Sequence, residues 1–169
     1  MAALPLSRTA LETLAWLSDE AFAGDPDHSL LANLKGLAEH EWTALPSGAG
    51  RSIAEIVEHA GWAKWMYEDY AFGPANRRGD VPPMVPEQGA AVRPPEALLA
   101  WLTEGHQRWL ASVRALADDA ELDRDRRTNW GNHLPTRVLI RILLAHDLYH
   151  AGEINHLRAV LNGTDKWPY

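Results

Sequence analysis

The feature that most limits what this chain can fold into is a helical pattern close to its C-terminal end, from Pro135 to Leu161. Pro135 suits a first helical turn, where its missing N–H loses nothing, and Asn162-Gly163 supplies a stop. At about 100° per residue, Leu139, Ile142, Leu143, Leu157, Val160 and Leu161 share one apolar stripe. His146, His150 and Glu153 fall on that same stripe. Burying such groups without partners costs on the order of a few kcal/mol each. Two imidazoles spaced i,i+4 stand one above the other on adjacent turns, where one metal ion can satisfy both.

The rest of the chain reads as helix as well. A first pattern covers residues 7–22, with Leu11, Leu14, Ala15, Ser18 and Phe22 on one side, and Gly24-Asp25-Pro26-Asp27 breaks it. A shorter amphipathic piece runs from Leu30 to Trp42. Ser52-Ile53-Ala54-Glu55 is a capping box that opens a helix reaching Phe72, because Ser52 and Glu55 answer each other's backbone donors. Residues 73–95 hold six of the eleven prolines and no periodicity, which predicts a long loop. A further helix spans residues 95–117, with Leu98, Leu102, Gly105, Trp109, Val113 and Leu116 inward, and a polar connection leads into the last one. No internal repeat, heptad run or useful β-alternation is visible. These patterns predict an all-α, single-domain protein over residues 1–169, a four-helix bundle whose long proline-rich crossover joins helices two and three.

Composition narrows the function. A net charge of −7 opposes nucleic-acid binding, which needs a basic face to displace counterions from phosphates. Cysteine is absent, so a metal would be held by histidine and carboxylate alone. The N-terminal residues carry no charged segment followed by a long apolar run, and no window approaches the length of a membrane span. The expectation is a cytoplasmic protein with no nucleic-acid or membrane partner.

His59 supplies a third imidazole. On the capped helix, Ile56, Ala63, Met66, Tyr67 and Tyr70 lie within about 80° of it, so it borders a buried stripe. Facing His146 and His150 across a bundle, it completes a three-histidine site, and three protein ligands with an open position describe a catalytic metal site. The alternative is a hydrogen-bonded polar pocket without metal.

Ser52 to His59 with Pro46 before it, a proline-rich loop, and then His146-Asp147-Leu148-Tyr149-His150-Ala151-Gly152-Glu153-Ile154 together resemble the DinB-like family of metal-binding four-helix bundles. The resemblance covers residues 11–161. It implies a divalent metal ion, zinc or nickel, held by His59, His146 and His150, and a homodimer. It also implies a small-molecule substrate. Characterised relatives include transferases and isomerases that use low-molecular-weight thiols such as mycothiol or bacillithiol, together with metal hydrolases. Glu153 stands where the family pattern has Gln.

Two rival metal motifs fail. His146, His150 and His156 have the spacing of a metzincin protease, but Asp147 stands where Glu is required, and no Met follows for the Met-turn. His156 also points about 120° away from His150 on a continuous helix. A di-iron bundle requires paired Glu-x-x-His motifs that this chain lacks.

The remaining polar and aromatic residues receive weaker assignments. Glu153, one turn beyond His150, is a candidate catalytic proton acceptor, a fourth ligand, or a hydrogen-bonding partner. Asp147 is expected in solvent, and Tyr149 in the core. Trp62, Trp65 and Trp130 are expected in the core, in a pocket wall or at a dimer interface. His28, His40, His106 and His133 are expected on the surface or in loops, and Arg158 in an outer ion pair. The resemblance therefore implies a metal-dependent enzyme of thiol S-transferase type. A metal-dependent hydrolase, a non-catalytic metal- or small-molecule-binding stress protein, and a metal-free structural bundle are the alternatives.

Overall fold

The computed structural model describes residues 7–76 and 94–163. Helix starts and stops follow the local chemistry of the chain. Helix α1 (Thr9–Asp19) runs on into a single π turn (Glu20–Gly24). The expected Leu30–Trp42 piece is two short helices, α2 (Leu30–Leu34) and α3 (Glu39–Thr43), broken where Gly36 takes φ +73°. Helix α4 (Ile53–Phe72) opens on the Ser52–Glu55 capping box, with Glu55 Oε2 accepting from the Ser52 N–H at 2.7 Å. Helix α5 (Pro95–Arg114) has Pro at its first position, and α6 (Thr136–Asn162) closes on Gly163 at φ +62°. The connection before α6, expected to be plain loop, carries a 3₁₀ turn (Asp119–Asp123) and a small hairpin, β1 (Asp125–Arg127) against β2 (His133–Pro135), with Arg126 opposite Leu134. Such short strands hold too few residues to show alternation. Of the expected proline-rich loop, residues 77–93 lie outside the described residues.

The architecture is all-α, as the sequence predicts. Four long helices pack in a ring in which α4 touches α5 and α6, and α1 touches the same two. Side-chain pairs set their directions. Lys64 meets His106 and Glu68 meets Ser112, so residue numbers rise together along α4 and α5 and the two helices run parallel. Arg51 meets Glu153 and Lys64 meets Asp147, so α4 and α6 run antiparallel. A parallel pair requires a connection that travels back along the whole helix. Twenty residues of α4 make about 30 Å.

The α4–α5 contact is close because two glycines receive two indoles. A Cβ on Gly61 would lie 2.5 Å from the Trp101 ring, and one on Gly105 would lie 2.8 Å from that of Trp65. Trp65 Nε1 donates to the Trp101 carbonyl at 3.1 Å, which satisfies a polar group the packing would otherwise strand.

The apolar core falls into two clusters along the bundle axis. One gathers Ile53, Ile56, Val57 and Ala60 of α4 with Leu98, Leu102, Ala151, Ile154 and Leu157. The other gathers Leu11 and Ala15 with Trp109, Val113, Leu139, Ile140 and Leu143. Where the two clusters meet on α4, α5 and α6 lie Lys64, His106 and Asp147, each buried.

Candidate metal centre

Helix α4 supplies His59, and α6 supplies His146 and His150, two turns that the i,i+4 spacing stacks on one edge. His146 Nε2 lies 3.0 Å from His59 Nε2 and 3.2 Å from His150 Nε2. One nitrogen from each of the three falls within 4.8 Å of the others, a group able to hold a metal ion. The donor set fits that purpose. A neutral imidazole has one N–H and one lone pair, so shared protons satisfy this convergence poorly. Two imidazole nitrogens at about 2.0–2.1 Å from one tetrahedral ion stand roughly 3.3 Å apart, close to the spacing observed. Charge agrees as well: burial lowers the pKa of His59 and His150 and takes His146 down to about 3, so all three rings are neutral ligands near pH 7.

Glu153 stands behind His150. Its Oε2 is 2.7 Å from His150 Nδ1, while Arg51 Nη2 donates to Oε1 at 3.1 Å. A carboxylate on Nδ1 places the ring proton there and turns the Nε2 lone pair toward the other two histidines. His146 differs, since its Nδ1 is buried with no hydrogen-bond partner among the described residues. Beside Glu153 opens a cavity of about 310 Å³ between residues 46–51 and the α6 face that carries Glu153, His156, Leu157 and Val160.

The buried face of α6 is turned from the stripe expected of it. Its buried residues are Thr136, Leu139, Ile140, Leu143, Asp147, His150, Ala151, Ile154 and Leu157. His146 and Glu153 are half-buried, and Val160, expected inward, is exposed. His59 and His146 thus sit at the margin of the core, half-buried, while His150 behind them is buried.

Three further assignments are corrected by the same rotation and by packing. Asp147, expected in solvent, is 2% exposed and accepts from Lys64 Nζ at 2.7 Å. His106, expected on the surface or in a loop, is 3% exposed, stacked 3.8 Å above Phe22 and 3.3 Å from Lys64 Nζ. Tyr149, expected in the core, is 67% exposed. Trp62 and Trp65 are core residues, and Trp130 is exposed against Tyr67. His28, His40, His133 and His156 are exposed, and Arg158 donates to the Asn33 carbonyl at 2.8 Å, tying α6 to α2.

Lys64 escaped the sequence reading although a signal exists. It continues the stripe Ile53, Ile56/Val57, Ala60 by one helical step, as Asp147 continues Ile140 and Leu143. Two opposite charges on two buried stripes are a pair waiting to be matched. Burial lowers the pKa of Lys64 and raises that of Asp147, against their mutual attraction.

A helical bundle with a three-histidine cluster between two antiparallel helices defines a class of candidate metalloprotein. A family model described as the DinB superfamily matches residues 27–154, most of the chain and all three histidines. The chain belongs to the DinB superfamily. No curated protein matches it.

Proposed function

We propose that this protein is a divalent-metal-dependent enzyme, using zinc or nickel, that transfers a low-molecular-weight thiol to an electrophilic small molecule. The observation that carries this reading is the convergence of three neutral imidazole nitrogens, two of them on half-buried rings at the margin of the core. Three protein ligands leave a position for an exogenous group. A divalent ion there lowers the pKa of a bound thiol or water and supplies a nucleophile near neutral pH. In thiol transfer the sulfur forms a bond to an electrophilic carbon, the leaving group departs with the electron pair, and the thiol proton passes to solvent.

The chain's own residues would hold and orient. His150 is aimed by Glu153, and Glu153 is itself held by Arg51. Because Glu153 lies on the Nδ1 side of His150, we read it as a positioning residue; a role as proton acceptor needs the carboxylate to swing toward the open position. Reduced thiols of this kind belong to the cytoplasm, and the absence of cysteine means the chain offers no thiol of its own. A homodimer completes the reading, with Trp16 and Leu17 of α1 and Leu148 and Tyr149 of α6 exposed on adjacent helices. Among the described residues no helix is long and apolar enough to cross a membrane.

The test is metal analysis of the purified protein, followed by a screen of monochlorobimane against a thiol panel. Stoichiometric zinc or nickel and metal-dependent conjugation are expected. A metal-replete crystal in which His59, His146 and His150 diverge from the ion overturns the site, and hydrolysis of esters or amides without any thiol dependence replaces transfer by hydrolysis.

A further inference from the structure

We propose that the cavity beside Glu153 is a subsite for the carboxylate of a small anionic ligand, with Arg51 as its anchor. This rests on the metal-centre reading for its charge balance, but the subsite itself has its own evidence. The cavity holds about 310 Å³ and is walled on one side by residues 46–51 and on the other by Leu157 and Val160. Val160 is half exposed at 50%, and with Leu157 it gives the space an apolar wall. Arg51 and Glu153 are its charged lining residues.

Arg51 is only partly used. Its Nη2 alone reaches Glu153, at 3.1 and 3.4 Å to the two oxygens. A guanidinium carries five N–H donors in a planar fork suited to bidentate carboxylate recognition, and here its Nε and Nη1 edges have no protein partner among the described residues. The Arg51 side chain is about one third exposed, at 34%, so those donors are open to a ligand.

Its charge is felt at the metal centre too. Arg51 contributes to lowering the pKa of His59, His146 and His150 alike. Three neutral imidazoles, a divalent ion, one guanidinium and one carboxylate sum to a net charge of plus two (+2 +1 −1). A ligand with one thiolate and one carboxylate balances that sum, where a neutral thiol does not. Glu153 does not take the place of such a carboxylate, because both of its oxygens are engaged, Oε2 by His150 and Oε1 by Arg51. His156 lines the same cavity as a further polar group.

The experiment uses propionate as probe, followed by amide and guanidinium NMR on the full chain, both metal-free and loaded with zinc. Saturable shifts are expected at Arg51 Nε and at the Gly48 and Gly50 amides, with 1-propanol at matched ionic strength giving none. Arg51→Ala should weaken propionate binding about tenfold or more, the scale of a charge-assisted hydrogen bond, and Arg51→Lys should retain part of it. Shifts confined to the histidine rings, equal binding by Arg51→Ala, or no saturable shift in either form overturns the subsite. A parallel titration with 2-mercaptoethanol, read by thiolate-to-nickel charge transfer on nickel-loaded protein, tests the thiol reading alone. Its failure leaves the propionate result standing, and the reverse holds as well.

Discussion

Two polar clusters lie beside one another on the same helices, and they differ in how their charges are balanced. Toward the core's margin, His59, His146 and His150 bring three imidazole nitrogens toward one point. Inside the bundle, Lys64 and Asp147 meet as opposites at 2.7 Å, with His106 beside them under the Phe22 ring. Opposite charges attract each other without a third party, here through one short hydrogen bond, although Asp147 Oδ1 has no partner among the described residues. Like lone pairs are satisfied by a cation from outside. His146 and Asp147 are adjacent in sequence, yet one faces a candidate ligand site and the other an internal ion pair. The difference teaches that polarity in a helical core is not one signal: complementarity across helices separates a structural layer from a site.

The largest effects should come from the internal layer. Lys64→Ala strands the Asp147 carboxylate in the core, and a loss of about 3–5 kcal/mol is expected in urea unfolding. The double variant Lys64→Met with Asp147→Leu should recover most of that loss, since a buried pair contributes little over apolar packing. If Lys64→Ala is as stable as the parent, the layer is not structural and the two clusters do not differ in this way.

Next comes His150→Ala. The ring is buried, so its loss costs some stability, but the distinguishing effect should be release of metal. Saturating zinc should raise the unfolding free energy of the parent by about 4 kcal/mol at a thousandfold excess over Kd, and leave the variant unmoved. Calorimetric unfolding with and without zinc reads this directly. Equal stabilisation of both proteins removes His150 from the centre.

Glu153→Gln sharpens the comparison at the boundary between the two regions. As a positioning residue Glu153 should cost about 10–100-fold in metal affinity, with little separate effect on turnover at saturating metal. As a proton acceptor it should leave the metal in place and cost about 10²–10⁴-fold in rate. A competition titration with a chromogenic chelator, run beside the activity assay, tells the two apart.

Just below neutral pH the smallest effect is a pH dependence. Desolvation takes His106 from 6.5 down to about 2, with Lys64 and Arg114 adding repulsion. The unfolded chain therefore binds a proton that the folded chain refuses between those values. Stability contributed by the neutral ring is fully present above pH 6.5 and is lost as pH falls below it, by about 1.4 kcal/mol per pH unit. His106→Gln should flatten the acid limb of the stability curve by that slope. An unchanged slope means that His106 titrates normally and is not sealed in the core.

Much of the molecule was legible in its sequence because the signals are local. Ser52 and Glu55 cap their own helix, Gly163 ends α6 in a left-handed turn, and two histidines four residues apart must share a helix edge. The third imidazole was also accessible, since the stripe of α4 has only one histidine to offer. The hairpin was not, since strands of three residues carry no period.

What only the tertiary structure decided is which way each helix turns. Periodicity alone put Val160 and Tyr149 inside and Asp147 outside, and all three lie the other way. On α6 two stripes one residue apart are almost equally apolar, and the choice between them is made by neighbours. Lys64 sits on the buried face of α4, and a lysine there requires a carboxylate opposite, so α6 rotates to bring Asp147 inward. That rotation carries His146 and Glu153 to the margin, where a ligand site has access to solvent. Local free energies of a few tenths of a kcal/mol per residue set the helices. The cost of an unpaired buried charge, several times larger, set their orientation.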